Sequence, residues 1–330
     1  MTVARSVLEG DAMDDRTSHL YHPVNDLAGG LAAPIAITDH ALLPWEKRCH
    51  ALLETFNARG VITMEEKRRG IEDMGQTIYA ALTYYEKWVM CAANLLMTKG
   101  HITSDELADK VAEVHVLETA DLAAAVTRDH GHDHAPIEVS PSGEWELLEI
   151  AVRELAIEKG LITAADHRKL LEYLDAATPA LGAKIVARAW VDPSFKRRVL
   201  ADGNVAWELG ATNYDHTNLI VLENTPEVHN LVVCTLCSCY PRPLLGLPPD
   251  WYKSPAYRSR AVRWPRSVLA EFGTLISRDV AIHVHDSNAD MRYLVMPMRP
   301  AGTDGWSEEA LARLVTRDTM IGVAVASVEP

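Results

Sequence analysis

A nine-residue pattern that occurs three times constrains the first half of this chain. Residues 58–66, 98–106 and 158–166 each carry glycine in the third position, isoleucine in the fifth, threonine in the sixth and an acid in the ninth. Such a glycine ends a helix in the left-handed conformation, and a threonine three residues before an acid forms the capping box of the next helix. The isoleucine between them is expected to fill the core. The pattern therefore predicts three helix–turn–helix corners with a structural role.

Apolar residues at helical spacing extend these corners into longer helices. Helices are predicted from Leu43 to the corner at Gly60, over 83–99, from Ser104 to about Val126, over 144–160 and 164–177, and through 183–209 with a restart at Pro193. Strands are predicted over 218–222, 230–234, 280–285 and 291–296. The expected fold class is α+β: a helical N-terminal domain, then a domain with helices first and strands after.

Composition shifts divide the chain into four expected segments. Residues 1–40 lack periodicity and are expected to form an extended arm that could wrap a partner. Residues 41–126 are the helical domain, and residues 143–330 are the second domain. Between them, residues 127–142 contain His130, His132 and His134 with Gly and Pro, which is typical of a linker. These histidines could also bind a metal ion in passing.

Charge and hydropathy exclude several classes of partner. The formal net charge of -14 argues against a nucleic-acid or anionic-membrane surface. No apolar run approaches the roughly 20 residues that a membrane-spanning helix needs, and residues 1–14 lack the apolar core of a signal peptide. We therefore expect a cytoplasmic protein with no nucleic-acid or membrane partner.

Three of the five cysteines lie together, at Cys234, Cys237 and Cys239. Neither a helix nor a strand directs positions i, i+3 and i+5 to one side, so this segment must curl. A metal ion held by three thiolates is the simplest reason, and a tight curl brings backbone amides within reach of the ion. Cobalt(III) or low-spin iron(III) can use such amides. A zinc site with His229 as fourth ligand, or three buried unligated cysteines, are the alternatives.

The other two cysteines, Cys49 and Cys91, fall inside amphipathic helical patterns. Both are predicted to be buried small apolar groups rather than ligands.

Residues 233–241 resemble the metal loop of the nitrile hydratase α subunit and of its relative, the thiocyanate hydrolase γ subunit. The resemblance covers about residues 143 to 325, and its motifs lie at 186–192, 223–230, 246–260, 291–295, 299–303 and 315–322. It implies a layered α/β metal-binding core preceded by helices.

The first half of the chain resembles the N-terminal half of the same family's β subunit. The residues that carry this likeness are 45–48, Arg68, Glu72, 75–79 and 84–88. The chain is therefore expected to be a fusion of half a β subunit with a whole α subunit. The remaining half of β has no counterpart, which implies a second polypeptide and a hetero-oligomer.

The resemblance also implies a ligand set. Cys234, Cys237 and Cys239 would supply sulfur, and the amides of Ser238 and Cys239 nitrogen. Thr235 matches the cobalt form, so one Co(III) per chain is expected, with Fe(III) as the alternative. The residues matching Cys237 and Cys239 are oxidised in the family to cysteine sulfinic and cysteine sulfenic acid.

Three further residues are implied to serve catalysis beside Cys239. Arg68 matches an arginine that bridges the sulfur oxygens, a role that suits its planar fork. Tyr84 matches a tyrosine near the substrate, although a packed aromatic is an equal alternative. Arg242 stands where nitrile-hydrating members usually carry Trp and thiocyanate hydrolase carries Arg.

The implied reaction is Lewis-acid activation of a C≡N group towards water. A small nitrile, hydrated to an amide, is the expected substrate, and thiocyanate, converted to carbonyl sulfide and ammonia, is the alternative favoured by Arg242. A hypothesis of another class is a non-catalytic metal-binding or maturation subunit that hands cobalt on. A metallochaperone or activator for cobalt loading is a further partner to consider. A zinc-stabilised domain is the remaining alternative.

Overall fold

The computed structural model describes residues 34–39, 41–127, 143–210, 217–236, 238–288 and 290–328. The predicted linker histidines, His130, His132 and His134, lie outside these ranges, as does Cys237. The described chain forms two compact units. Residues from Leu42 to Glu172 form the first unit, and those before Leu42 and from Tyr173 onward form the second. The compact units divide between Glu172 and Tyr173, whereas the sequence predicts a domain boundary between residues 142 and 143. That boundary remains a prediction.

The first unit is helical throughout its described length. Its helices are α1 (Pro44–Ala58), α2 (Met64–Glu72), α3 (Gln76–Ala81), α4 (Tyr84–Thr98), α5 (Ser104–Thr127), α6 (Glu144–Glu158) and α7 (Ala164–Ala176), the last of which continues into the second unit. Helices α1, α4 and α6 pack on one another around a single apolar core. The helices predicted before Gly60, over 83–99, 104–126, 144–160 and 164–177 are present, within one or two residues of the expected ends.

The three predicted corners are confirmed. Gly60, Gly100 and Gly160 have φ of 68°, 71° and 68°, the left-handed region that glycine enters without strain. After the first glycine, the Thr63 hydroxyl accepts a hydrogen bond from the Glu66 amide at 3.2 Å, and the Glu66 carboxylate accepts one from the Thr63 amide at 2.8 Å. The same exchange occurs at the other two corners. The isoleucines between glycine and threonine are buried, as expected.

The second unit combines helices with two pairs of strands. It contains α8 (Pro179–Val191), α9 (Pro193–Ala201), a 3-10 helix (Gly203–Leu209), β1 (Asn218–Glu223), β2 (Val228–Val233), α10 (Arg242–Leu245), α11 (Asp250–Lys253), α12 (Pro255–Arg263), α13 (Pro265–Glu271), β3 (Ala281–Asp286), β4 (Met291–Met296), α14 (Glu308–Ala312) and α15 (Arg317–Ile321). Strand β1 pairs with β4 and β2 with β3, both in parallel. The four predicted strands and the restart at Pro193 are confirmed, and so is the α+β class.

A short piece of the predicted arm belongs to this second unit. Ile35 is buried in its core, and the Ile35 amide donates to Glu271 Oε2 at 3.0 Å. Asp39 forms an ion pair with Arg317 at 2.7 Å. The described part of the arm therefore packs against the same chain. In the described residues no helix is long and apolar enough to cross a bilayer.

Candidate metal centre

The cysteine loop starts where β2 ends. Because β2 and β3 run parallel with Val233 opposite Asp286, the Asp286 carboxylate reaches the first turn of the loop. Its Oδ1 accepts from the Thr235 amide at 2.9 Å, and its Oδ2 accepts from the Thr235 hydroxyl at 2.5 Å. The Ser287 amide donates to the Val233 carbonyl at 2.7 Å. The loop entrance is thus fixed to the end of the neighbouring strand.

Buried donors on α11 and α12 hold the carbonyl groups of the loop. Arg258, which is 3% exposed, donates through Nε to the Cys234 carbonyl at 3.1 Å and through Nη2 to the Thr235 carbonyl at 2.7 Å. The Tyr252 hydroxyl donates to the Cys239 carbonyl at 2.8 Å. Burial raises the pKa of this phenol well above its usual range, so it remains a donor at neutral pH. Both ends of the loop are therefore anchored from one side of the unit.

The loop cysteines differ from the two cysteines of the first unit. Cys234 is fully buried and Cys239 half-buried, and neither is in a disulfide. Cys49 and Cys91 are fully buried in the helical unit, as predicted. Burial raises the pKa of Cys91 to about 12 and that of Cys49 well above its usual range, which makes both thiols poor nucleophiles and poor metal ligands.

His229 does not suit the zinc alternative. Its Nε2 lies 2.7 Å from the Gly322 carbonyl oxygen, and its Nδ1 lies 3.3 Å from the Asn224 side-chain nitrogen. The first contact requires a proton on Nε2, and the second is satisfied when Nδ1 accepts. Burial lowers the pKa of His229, which favours this neutral form. Both ring nitrogens therefore have partners inside the fold, and neither is available as a fourth zinc ligand.

The donor set fits a metal ion that prefers sulfur. Cys234, Ser238 and Cys239 lie in the described part of the loop, whereas the third predicted sulfur ligand, Cys237, lies outside it. Within the described residues no three His, Cys, Asp or Glu side chains are grouped to hold a metal. Two closely spaced cysteines of low exposure on an anchored loop suit cobalt or iron, and they do not suit the oxygen-seeking magnesium or calcium.

The remaining predicted catalytic residues are divided between the units. Arg242 is the first residue of α10, half-buried and three positions after Cys239. Arg68 is on α2, where its Nη2 contacts Glu65 at 2.9 Å, and Tyr84 opens α4 with its ring 5.0 Å from Tyr85 and 5.1 Å from Trp88. Arg68 and Tyr84 belong to the first unit, and their proximity to the loop remains a prediction.

Sequence reasoning missed the residues that hold the loop. Arg258 and Tyr252 lie inside the resembling stretch 246–260, so the likeness marked their region without giving them a role. Asp286 closes the strand that was predicted over 280–285, and only the parallel register with β2 places it beside Thr235. Asp286 could have been found from the sequence only by assuming that the strands predicted over 230–234 and 280–285 pair with each other.

Two family models match successive parts of this chain. The family model described as nitrile hydratase, alpha chain, matches residues 143–324, and the model described as nitrile hydratase beta subunit, N-terminal, matches residues 22–135. The chain is 57% identical over 178 residues to the α subunit of the low-molecular-weight cobalt-containing nitrile hydratase of Rhodococcus rhodochrous, covering 53% of this chain and 86% of that subunit.

Two subunits of one other enzyme are also similar to this chain. The γ subunit of Thiobacillus thioparus thiocyanate hydrolase is 51% identical over 199 residues, covering 57% of this chain and 82% of that subunit. Its β subunit is 36% identical over 91 residues, covering 27% of this chain and 58% of that subunit.

A solved structure described as recombinant thiocyanate hydrolase with partially modified cobalt centres aligns with a TM-score of 0.55 and 48% identity, covering 57% of this chain and 95% of that one. The match to the α-chain model spans more than half of the 330 residues. The chain therefore belongs to the nitrile hydratase α-chain family, and an N-terminal segment of the β-subunit type precedes its α-type part.

Proposed function

We propose that this chain is the metal-bearing subunit of a cobalt-dependent nitrile hydratase, which adds water to a C≡N group to give an amide. The observation that carries the proposal is the cysteine loop, anchored by Asp286, Arg258 and Tyr252 at the end of β2. The high identity to a cobalt-containing nitrile hydratase α subunit, together with Thr235 in the loop, supports cobalt.

The metal would be held by the thiolates of Cys234, Cys237 and Cys239 and by the amides of Ser238 and Cys239. When bound, it supplies Lewis acidity that makes a nitrile carbon electrophilic. Cys237 and Cys239 are proposed to be oxidised to sulfinic and sulfenic acid, which adds anionic oxygens beside the ion.

The chain's own residues would then have separate tasks. Asp286 and Arg258 fix the backbone of the loop, so that the cysteines keep their spacing when the ion binds. Arg68 is proposed to donate to the sulfur oxygens, where charge-assisted hydrogen bonds are strongest. Tyr84 would orient the substrate, and Arg242 would set the charge at its entrance.

Hydrolysis of thiocyanate is the second candidate, and Arg242 is the observation that favours it. A guanidinium three residues from Cys239 attracts an anion more strongly than an uncharged nitrile. The identity to two thiocyanate hydrolase subunits supports the same substrate.

Product analysis separates the two substrates. The chain is purified with its partner and assayed for amide from small nitriles, and for ammonia and carbonyl sulfide from thiocyanate. Amide from nitriles is expected; carbonyl sulfide with no amide would contradict the first proposal and support the second. Arg242→Trp, the residue usual in nitrile-hydrating members, should lower any thiocyanate turnover at least about tenfold, and Arg263→Trp on the exposed end of α12 serves as the control.

A second polypeptide is proposed to complete the enzyme. The chain covers only 58% of the thiocyanate hydrolase β subunit, so a partner resembling the missing C-terminal half is expected. A non-catalytic maturation subunit would instead release cobalt readily and show no turnover with any partner. Cobalt that resists chelation, together with turnover, would dismiss that alternative.

A further inference from the structure

Two histidines lie on the same face of β3, the strand that ends at the loop anchor Asp286. His283 and His285 are two residues apart, and successive side chains of a strand point to opposite faces. Their rings therefore lie side by side, with centroids 6.5 Å apart and planes inclined at 66°. His283 is exposed and His285 is half-buried, so the pair is open to solvent.

The hydrogen bonds of Asn230 on β2 determine which atom of its side chain faces His285. Asn230 Nδ2 lies 2.9 Å from the Glu223 carbonyl oxygen, which can only accept, so this atom is the amide nitrogen. The same nitrogen donates to Asn224 Oδ1 at 3.0 Å. The Asn230 oxygen is therefore the atom that lies 2.9 Å from His285 Nε2.

An acceptor at this distance requires a proton on His285 Nε2. In the neutral ring the lone pair is then on Nδ1, which is the atom that can bind a metal. Histidine ligands in metal sites commonly donate their other ring nitrogen to an oxygen in this way, which fixes the tautomer and orients the ring. Burial lowers the pKa of His285, and the charge of His283 lowers it further, so the neutral ring is favoured at neutral pH.

A second contact restricts the His285 ring. Tyr293 on β4 lies against it, with centroids 5.3 Å apart and planes inclined at 45°. Asn230 is itself buried, so its hydrogen bond and this ring contact hold His285 in one orientation. A ligand that is already held loses little conformational freedom when an ion binds.

The spacing of the two rings suits one ion after a small movement. A zinc–nitrogen bond is about 2.0–2.1 Å long, so two imidazoles on a tetrahedral ion have their centroids about 5 Å apart. The observed separation is 6.5 Å. Rotation of the exposed His283 side chain between staggered conformations covers the difference of about 1.5 Å.

We propose that His283 and His285 form a surface site for a divalent transition-metal ion, with water at the remaining coordination positions. Imidazole nitrogens suit zinc, copper and nickel, whereas magnesium and calcium prefer oxygen ligands. This site is distinct from the cysteine loop, because both of its protein ligands are nitrogen atoms on β3. It is also independent of the reaction.

An ion at this site stabilises the strand that anchors the cysteine loop. It binds the folded strand, where the two rings are held together, more tightly than the unfolded chain, and such a difference stabilises the folded state. Asp286 follows His285 directly, and its carboxylate holds Thr235 at the loop entrance. Opening of this end of β3 therefore becomes less frequent when the ion is bound.

Zinc titration of the full chain tests the site. Three histidines of the predicted linker, His130, His132 and His134, have the same spacing and are changed to alanine in every sample. In this background, calorimetry should detect a zinc site that His283→Ala weakens at least about tenfold, the smallest loss expected even for a group that only supports a ligand. His115→Ala, an exposed histidine on α5, is the matched control and should bind zinc as before.

Three further variants separate this pair from other sources of zinc binding. His283→Asp keeps a zinc ligand and should retain part of the affinity. Ala281→His combined with His283→Ala keeps the number of histidines and the strand face, but it places the two histidines about 13 Å apart along the strand. It should therefore bind as weakly as His283→Ala. Cys239→Ala should leave the site unchanged, which separates it from the loop.

Hydrogen exchange locates the bound ion. At a zinc concentration about ten times the Kd, amides over 281–286 should exchange about tenfold more slowly, and those of α5 should be unaffected. Equal zinc affinity before and after His283→Ala, or no slowing over 281–286, would overturn the proposal. Full affinity in the Ala281→His variant would also overturn it, because binding would then depend on the number of histidines and not on their position.

Discussion

The two units of this protein use opposite means to fix their structure. The first unit repeats one local rule at three corners, where a glycine, a threonine and an acid within seven residues define each turn. The second unit depends on contacts between residues far apart in sequence, such as Asp286 with Thr235 and His229 with Gly322. In the first unit the same capping contact therefore occurs at three equivalent corners, whereas each contact that holds the cysteine loop occurs only once.

The largest expected effect is at the loop itself. Cys239→Ala removes a proposed sulfur ligand, so cobalt binding and turnover should both be lost, as measured by elemental analysis and product assay. Cys91→Ala, in the first unit, should retain cobalt. A Cys239→Ala protein with normal cobalt content and activity would show that the loop is not the metal site.

The next prediction compares two glycines with positive φ: Gly322, where a side chain would also clash with a neighbouring strand, and Gly273, where it would not. Gly322 has φ of 92°, and a Cβ there would lie 2.0 Å from the Asn230 carbonyl oxygen on β2. Gly322→Ala should lower the free energy of unfolding of the second unit by more than about 3 kcal/mol, because β2 must move. Gly273, with φ of 78° and open space around its Cβ, should cost about 1–2 kcal/mol when changed to alanine. Equal costs, measured by denaturant unfolding, would remove the steric argument.

A smaller effect is expected at the arginine that holds the loop. Arg258→Lys keeps the charge but cannot donate to the Cys234 and Thr235 carbonyls in the same geometry. The second unit should lose about 1–3 kcal/mol, and cobalt should leave faster in the presence of a chelator. Arg263→Lys, at the exposed end of the same helix, is the control. Unchanged cobalt release from Arg258→Lys would indicate that the carbonyl contacts do not support the site.

The smallest effect is a pH response that distinguishes the buried histidines from the ion pairs at the corners. The folded-state pKa of His229 is lowered by burial, so its contribution is present above its ordinary pKa of 6.5 and is lost as pH falls below that value. Lys99 holds the pKa of Glu66 at about 2, and Arg59 does the same for Asp166, so the contribution of these two ion pairs at the corners is lost only as pH falls from about 4.5 towards 2.

Burial also lowers the pKa of His167 in the first unit, so both units should begin to lose stability as pH falls below about 6.5, and the first unit should lose more as pH falls from about 4.5 towards 2. Hydrogen exchange at a series of pH values, corrected for intrinsic rates, measures both units in one sample. His229→Gln, which retains a donor for the Gly322 carbonyl, should reduce the loss of protection that the second unit shows below pH 6.5, to which His285 also contributes. If the second unit lost protection equally below pH 6.5 with and without His229→Gln, the assignment of that loss to His229 would be wrong.

The same contrast explains what could be predicted from sequence. The corners and their helices followed from neighbours along the chain, and the four strands followed from short apolar runs. The helices α10 to α13 were not predicted, because four to nine residues give too little periodicity and the prolines in and around them resemble loop sequence. The cysteine spacing indicated a metal, but the roles of Asp286 and Arg258 depend on strand register and helix packing, which no local pattern encodes.

The arm residues Ile35 and Asp39 have a consequence for synthesis. Their partners, Glu271 and Arg317, lie 236 and 278 residues later in the chain. At about 5–20 residues per second, a ribosome makes that stretch in roughly 15–60 s. The helical bundle can fold as soon as Glu172 has emerged. Ile35 and Asp39 are made early, but they can dock only after Glu271 and Arg317 have been made. The segment around Ile35 and Asp39 is therefore among the last to dock, and the second unit is complete only after it has bound.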